Sequence, residues 1–143
     1  MSLSKELTYA RTCYKHLAGE LGVAITRSFL STGLVNNAIV QDKHCFSITT
    51  KGYRWCMVHA IAVHNDSKLD GIRQVITKSC LDHSHQEPHI AGELGHAILN
   101  FMLLNDYCEC VPGRRVRVTA KGIQFLHCSL GIGWRNHFGG AEK

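Results

Sequence analysis

His16-Leu17-Ala18-Gly19-Glu20-Leu21-Gly22 returns almost unchanged as His89-Ile90-Ala91-Gly92-Glu93-Leu94-Gly95. A second pair of blocks follows in the same order. Ile48-Thr49-Thr50-Lys51-Gly52 precedes Trp55, and Val118-Thr119-Ala120-Lys121-Gly122 precedes Phe125. Two matching blocks in one order imply an internal duplication. The first block recurs at a spacing of 73 and the second at 70, so the second copy is three residues shorter between blocks. Loops absorb length changes of that kind.

Within each copy the apolar positions step by three and four residues. Leu17, Leu21, Ala24, Ile25 and Phe29 do so in the first, and Ile90, Leu94, Ala97, Ile98 and Met102 in the second. That periodicity predicts one continuous amphipathic helix of about 18 residues in each. Gly33 closes the first helix and Asn105-Asp106 the second. A strand, a turn and a return strand follow. The turn falls at Asn36-Asn37 or at Gln41-Asp42-Lys43 in the first copy, and at Pro112-Gly113 in the second. Alternation in Arg115-Val116-Arg117-Val118 marks a half-buried return strand. Thr49 or Thr50, and Thr119, are placed to cap closing helices that carry Trp55 and Val58, or Phe125 and Leu126. An extra helix over residues 69–84, ending before Pro88, is expected to lead into the second copy.

Gly19, Gly22, Gly92 and Gly95 fall inside the expected helices, where each costs about 1 kcal/mol relative to alanine. With Ala18 and Ala91 they make two small-residue patches. These suit close crossing of the duplicated helices about a pseudo-two-fold axis, or the packing of each helix beside its own hairpin.

The 143 residues are 45% hydrophobic, enough to fill a compact core. No apolar run reaches the roughly 20 residues needed to cross a bilayer, and no secretory signal opens the chain. Seven cysteines, an odd number, suit a reducing compartment, so a cytoplasmic protein is expected. The net charge of +5 permits contact with nucleic acid, but the lysines and arginines are mixed with acids along most of the chain. Ten histidines beside those cysteines supply many borderline and soft metal ligands.

A helix, a hairpin and a closing helix opened by Ile/Val-Thr-x-Lys-Gly resemble the wing half of a winged-helix domain. The tight turn and recognition helix of a DNA reader are missing. Three segments carry a closer resemblance: Arg11-Thr12-Cys13-Tyr14-Lys15-His16-Leu17-Ala18-Gly19-Glu20-Leu21-Gly22-Val23-Ala24, Cys80-Leu81-Asp82, and Pro88-His89-Ile90-Ala91-Gly92-Glu93-Leu94-Gly95. They resemble the region that follows the DNA-binding domain in a group of bacterial ArsR-type winged-helix regulators. The chain departs from that group at His83, where an aromatic residue is usual, and at Gln86-Glu87, where basic residues are usual. The resemblance implies an N-terminal winged helix, outside this chain, that reads the operator. Met1-Ser2-Leu3 then reads as a remnant of expression.

The expected fold class is therefore α+β. Two winged-helix-like units, each helix, β-hairpin, helix, occupy residues 4–66 and 67–133, the second preceded by the extra helix, with a tail over 134–143.

The Cys13-x-x-His16 spacing puts both side chains on one face of a helix, where they can chelate a metal. The second copy offers Cys80 and His89, with His83 and His85 between them. Packing about a pseudo-dyad would close Cys13, His16, Cys80 and His89 into a tetrahedral site for zinc or another thiophilic metal. The competing reading makes the cysteines small core residues and the histidines hydrogen-bonded structural groups. On that reading no cofactor is expected. Cys108-Glu109-Cys110 places two thiols on one strand face, open to oxidants or soft metal, or simply part of core and edge. Arg114, Arg115, Arg117 and Lys121 form the most basic element, on a wing-like hairpin suited to phosphate contact or to a solvated rim.

No Gly-rich phosphate loop, nucleophile elbow or His-Glu-x-x-His helix points to an enzyme. The reading is a regulatory, dimerisation or effector-sensing C-terminal domain of a bacterial transcriptional regulator. Its expected partners are a second copy, as a homodimer, and DNA through the N-terminal domain, with no membrane. The alternatives are a metal-sensing domain, or a DNA-binding winged-helix module in its own right.

Overall fold

A computed structural model describes residues 10–13, 15–63, 68–69, 72–73, 75–82 and 85–136. In chain order the elements are β1 (Arg11–Cys13), β2 (His16–Ala18), α1 (Gly19–Ser31), β3 (Val35–Val40), β4 (Lys43–Ile48) and α2 (Thr50–Val58). Next come β5 (Lys68–Leu69), β6 (Ile72–Arg73), β7 (Val75–Asp82), β8 (Glu87–Ile90), α3 (Gly92–Leu104), β9 (Cys108–Val111), β10 (Arg115–Val118) and α4 (Ala120–Leu130). The protein is mixed α+β, with two four-stranded antiparallel sheets and a separate short β5-β6 pair.

The sheets interlock the halves of the chain. One runs β2-β1-β10-β9 and the other β8-β7-β4-β3. Each sheet thus joins an N-terminal hairpin of one half to the later hairpin of the other, through Arg11 opposite Arg115 and through Cys45 to Ile48 opposite Val75 to Lys78. Helix α1 packs on β8 and β2, and α3 on β2 and β7. Leu21, Leu94, Phe29, Phe46, Val116 and Leu126 are fully enclosed in one core that draws on both halves.

Local signals behave as the residue types dictate. Thr49 Oγ1 accepts from Gly52 N at 2.9 Å, and Thr119 Oγ1 accepts from Gly122 N at 3.0 Å, capping α2 and α4. Helix α1 closes on Gly33, with Leu34 N donating to Phe29 O, and α3 closes on Asp106, with Tyr107 N donating to Met102 O. The first later hairpin turns at Gln41-Asp42, both with positive φ, so Asn36-Asn37 lies within β3. The second turns at Pro112 to Arg114.

Three expectations need correction. The main helices have 13 residues, not about 18, because His16–Ala18 is a strand and Gly19 and Gly92, at φ 71° and 63°, turn the chain abruptly into the helix. The extra helix over 69–84 is absent among the described residues, which form strands instead. Val75-Ile76-Thr77 is β-branched throughout and finds a partner in β4, and Pro88 sits in the sheet-edge strand β8. Gly22, Gly92 and Gly95 do not mark a close crossing of the two helices, because what each faces most closely is strand. A Cβ at Gly22 would lie 2.4 Å from Leu17 O and 3.7 Å from His89 Cβ, and one at Gly95 2.6 Å from Ile90 O and 3.0 Å from His16 Cβ. Each of these two glycines thus first admits the strand before its own helix and then the opposite half's histidine.

Of the expected tail, Trp134 and Asn136 dock on the sheet. The Asn136 side chain accepts from Val118 N and donates to Val118 O, at 3.0 and 2.6 Å. Residues 4–9 and 64–67 of the expected units, residues 137–143 of the tail, Met1-Ser2-Leu3, Tyr14 and His83 lie outside the described residues.

Candidate functional site

The β1-β2 and β7-β8 hairpins meet where the halves cross. Cys13 is the cross-strand partner of His16, and Cys80 that of His89. The Cys13-x-x-His16 spacing therefore works through a tight hairpin rather than a helical face. Four donor atoms, one each from Cys13, His16, Cys80 and His89, lie within 4.8 Å of one another. The imidazoles form the inner side, with His89 at 0% and His16 at 7% exposure, while both thiols are half-buried.

His16 Nε2 and His89 Nε2 are 2.9 Å apart, a hydrogen bond in which one nitrogen must carry the proton and the other accept it. Burial lowers the pKa of both rings. His89, with His16 beside it as the second cause, is pushed down to about 4. Both shifts favour the neutral imidazole, the state a metal requires. Burial raises the Cys80 thiol, and the nearby Cys13 sulfur adds to that, since two thiolates so close would repel.

Beneath the imidazoles lies Asp82, at 0% exposure. Its Oδ1 accepts from Gly19 N at 2.7 Å and from Arg11 Nη2 at 3.2 Å, and its Oδ2 accepts from His85 N at 3.0 Å. His85 Nδ1 also lies 3.2 Å from Oδ2. Asp82 Oδ1 approaches His89 Nδ1 to 3.3 Å, yet that nitrogen is enclosed with no hydrogen-bond partner. The contact is a near approach rather than a formed bond. Arg11 and Asp82 were not singled out from the sequence; the available signal was an acid ending the Cys80-Leu81-Asp82 strand segment.

The other candidate groups are not among the four donors, although the basic hairpin pairs with β1 through Arg115 opposite Arg11. Cys108 is buried, with its thiol pushed up to about 12, whereas Cys110 is exposed at the outer end of the strand. On the basic hairpin, Arg117 Nε pairs with Glu109 at 2.9 Å, Arg115 Nε donates to Pro112 O at 2.8 Å, and Lys121 Nζ sits 5.3 Å over the Tyr107 ring. Arg114 is exposed at the turn. The four cations occupy one hairpin and the first turn of the helix after it.

No family model and no solved structure matches the chain. Over 119 residues, 82% of its length, it is 34% identical to an uncharacterized HTH-type transcriptional regulator, YdfF, of Bacillus subtilis (strain 168). The match covers 50% of that protein, so the chain spans about half the length of this relative. Among the described residues no helix is long and apolar enough to cross a membrane.

Proposed function

We propose that the chain is a non-catalytic, effector-sensing part of a bacterial transcriptional regulator of the ArsR type, acting in the cytoplasm as part of a homodimer. On this reading the halves are copies of one winged-helix-like unit, and DNA is read by a segment outside the chain. Similarity to half of an HTH-type transcriptional regulator supports the regulatory setting. The observation that carries the sensing role is the convergence of Cys13, His16, Cys80 and His89 at the junction of the two halves. Because each half supplies a hairpin to each sheet, an effector held there acts on both halves together. Its differential affinity for two arrangements of the halves would set the response.

A DNA-binding role for the chain itself is the second reading, favoured by the exposed Arg114 beside Arg115, Arg117 and Lys121. The engagement of the last three within the protein weighs against it. The deciding experiment titrates promoter DNA of the regulator's own gene with the intact regulator and with this chain alone. Selective binding by the intact protein, with only weak, salt-sensitive and non-selective binding by this chain, is the expected result. Tight, sequence-selective binding by the chain alone would overturn the reading.

A further inference from the structure

We propose that Cys13, His16, Cys80 and His89 form a tetrahedral site for one thiophilic divalent ion of the zinc class, which fastens the β1-β2 hairpin of the first half to the β7-β8 hairpin of the second. Two thiolates and two imidazoles are a donor set that selects zinc over hard cations. Zinc–sulfur bonds of about 2.3 Å and zinc–nitrogen bonds of about 2.0–2.1 Å at tetrahedral angles put nitrogens about 3.3 Å and sulfurs about 3.8 Å apart. The imidazole nitrogens stand at 2.9 Å, and no two donor atoms are more than 4.8 Å apart. Loading the ion therefore requires donor-to-donor adjustments on the order of 1 Å.

Asp82 supplies an independent observation. A histidine that binds a metal through Nε2 must carry its proton on Nδ1, and metal-binding histidines commonly give that proton to a carboxylate. His89 Nδ1 is enclosed, lacks a hydrogen-bond partner, and faces the Asp82 carboxylate at 3.3 Å. Completing that bond would keep the proton on Nδ1 and leave Nε2 free for the ion. Asp82 is itself held by Gly19 N and Arg11, from the first half of the chain, so it is a positioning residue that spans the same junction. The half-buried sulfurs give the ion a route from solvent, and their deprotonation releases protons as it binds.

Ion binding does not depend on the chain being a regulator; only the step from occupancy to altered DNA affinity rests on that reading. The test uses the 143-residue chain, reduced and stripped with a chelator, then titrated with cobalt(II) and with zinc(II). One ion per chain is expected, with cobalt giving thiolate charge-transfer and tetrahedral ligand-field absorption that zinc abolishes. Cys13→Ser and Cys80→Ser should each remove part of the charge-transfer band, and Asp82→Asn should weaken zinc binding by about 10–100-fold at unchanged stoichiometry. A measurement on the unaltered chain guards against variants that fail to fold: zinc should protect Cys13 and Cys80 from alkylation while the exposed Cys110 and Cys128 still react. Absence of stoichiometric uptake, or uptake with Cys13 and Cys80 left unprotected, would overturn the site. Stoichiometric zinc with unchanged promoter affinity of the intact regulator would keep the site and overturn only the sensing step.

Discussion

His16 and His89 meet Nε2 to Nε2 at 2.9 Å, each contributed by the second strand of a hairpin from a different half of the chain. In metal-free protein this pair makes stability depend on pH. Burial, and then the neighbouring His16, depress His89 to about 4, against about 6.5 in an unfolded chain. Above pH 6.5 neither state is protonated, and the full stability is present. As pH falls from about 6.5 to about 4, the unfolded chain takes up the proton first, and stability drops by about 3 kcal/mol before levelling off. His16, lowered by burial, acts in the same direction. Urea unfolding in chelator across this range should show the loss, and His89→Gln should flatten it.

Asp82 is the acceptor for two buried donors from the other half, Gly19 N–H and the Arg11 guanidinium at 4% exposure. Asp82→Ala removes the acceptor and the countercharge together and should cost about 3–5 kcal/mol. Asp82→Asn keeps an oxygen for Gly19 and should cost less. The order of the two urea midpoints checks this, and equal midpoints for Asp82→Ala and the unaltered protein would remove Asp82 from the junction's structural role.

Helices α2 and α4 begin against the loop that precedes their own hairpin, and each has a glycine at the contact. A Cβ at Gly52 would lie 1.9 Å from Leu34 O, and one at Gly122 1.8 Å from Tyr107 O. Backbone cannot yield cheaply there, so Gly52→Ala and Gly122→Ala should each cost on the order of 3 kcal/mol or more. Gly33, at φ 77° with open space around it, meets only the left-handed backbone penalty, so Gly33→Ala should cost about 1–2 kcal/mol. Thermal unfolding of the three variants checks the order.

The remaining thiols should separate by reactivity. Cys110 and Cys128 are exposed and should alkylate first in native protein. Burial pushes Cys56 up to about 11 and Cys108 up to about 12, so both are protonated as well as inaccessible at neutral pH. Their labelling should wait on opening of the structure. Peptide mapping during timed alkylation gives the order directly, and early labelling of Cys108 would contradict its packing.

Elements whose causes are local were legible from the residues alone. Thr49 and Thr119 announce their helices because a hydroxyl at that position satisfies an amide three residues on, whatever the rest of the chain does. Gly33 and Pro112-Gly113 mark chain reversals through their own backbone preferences. The repeat makes His16 and His89 equivalent, and a cysteine ahead of each, Cys13 and Cys80, makes the four legible as a donor set from residue type and order. What needed the tertiary structure was every feature whose partner lies in the other half. His16–Ala18 and Val75–Asp82 are strands because β1, β4 and β8 hydrogen-bond them, and neither periodicity nor length reveals such partners. The exchange of hairpins between sheets, and the burial of Asp82 under Arg11 and Gly19, follow from the same long-range pairing. Side-chain type set which groups could meet at the junction, and the packing of the two sheets decided that they do, because hairpins from different sheets bring residues 67 and 73 positions apart to within 4.8 Å.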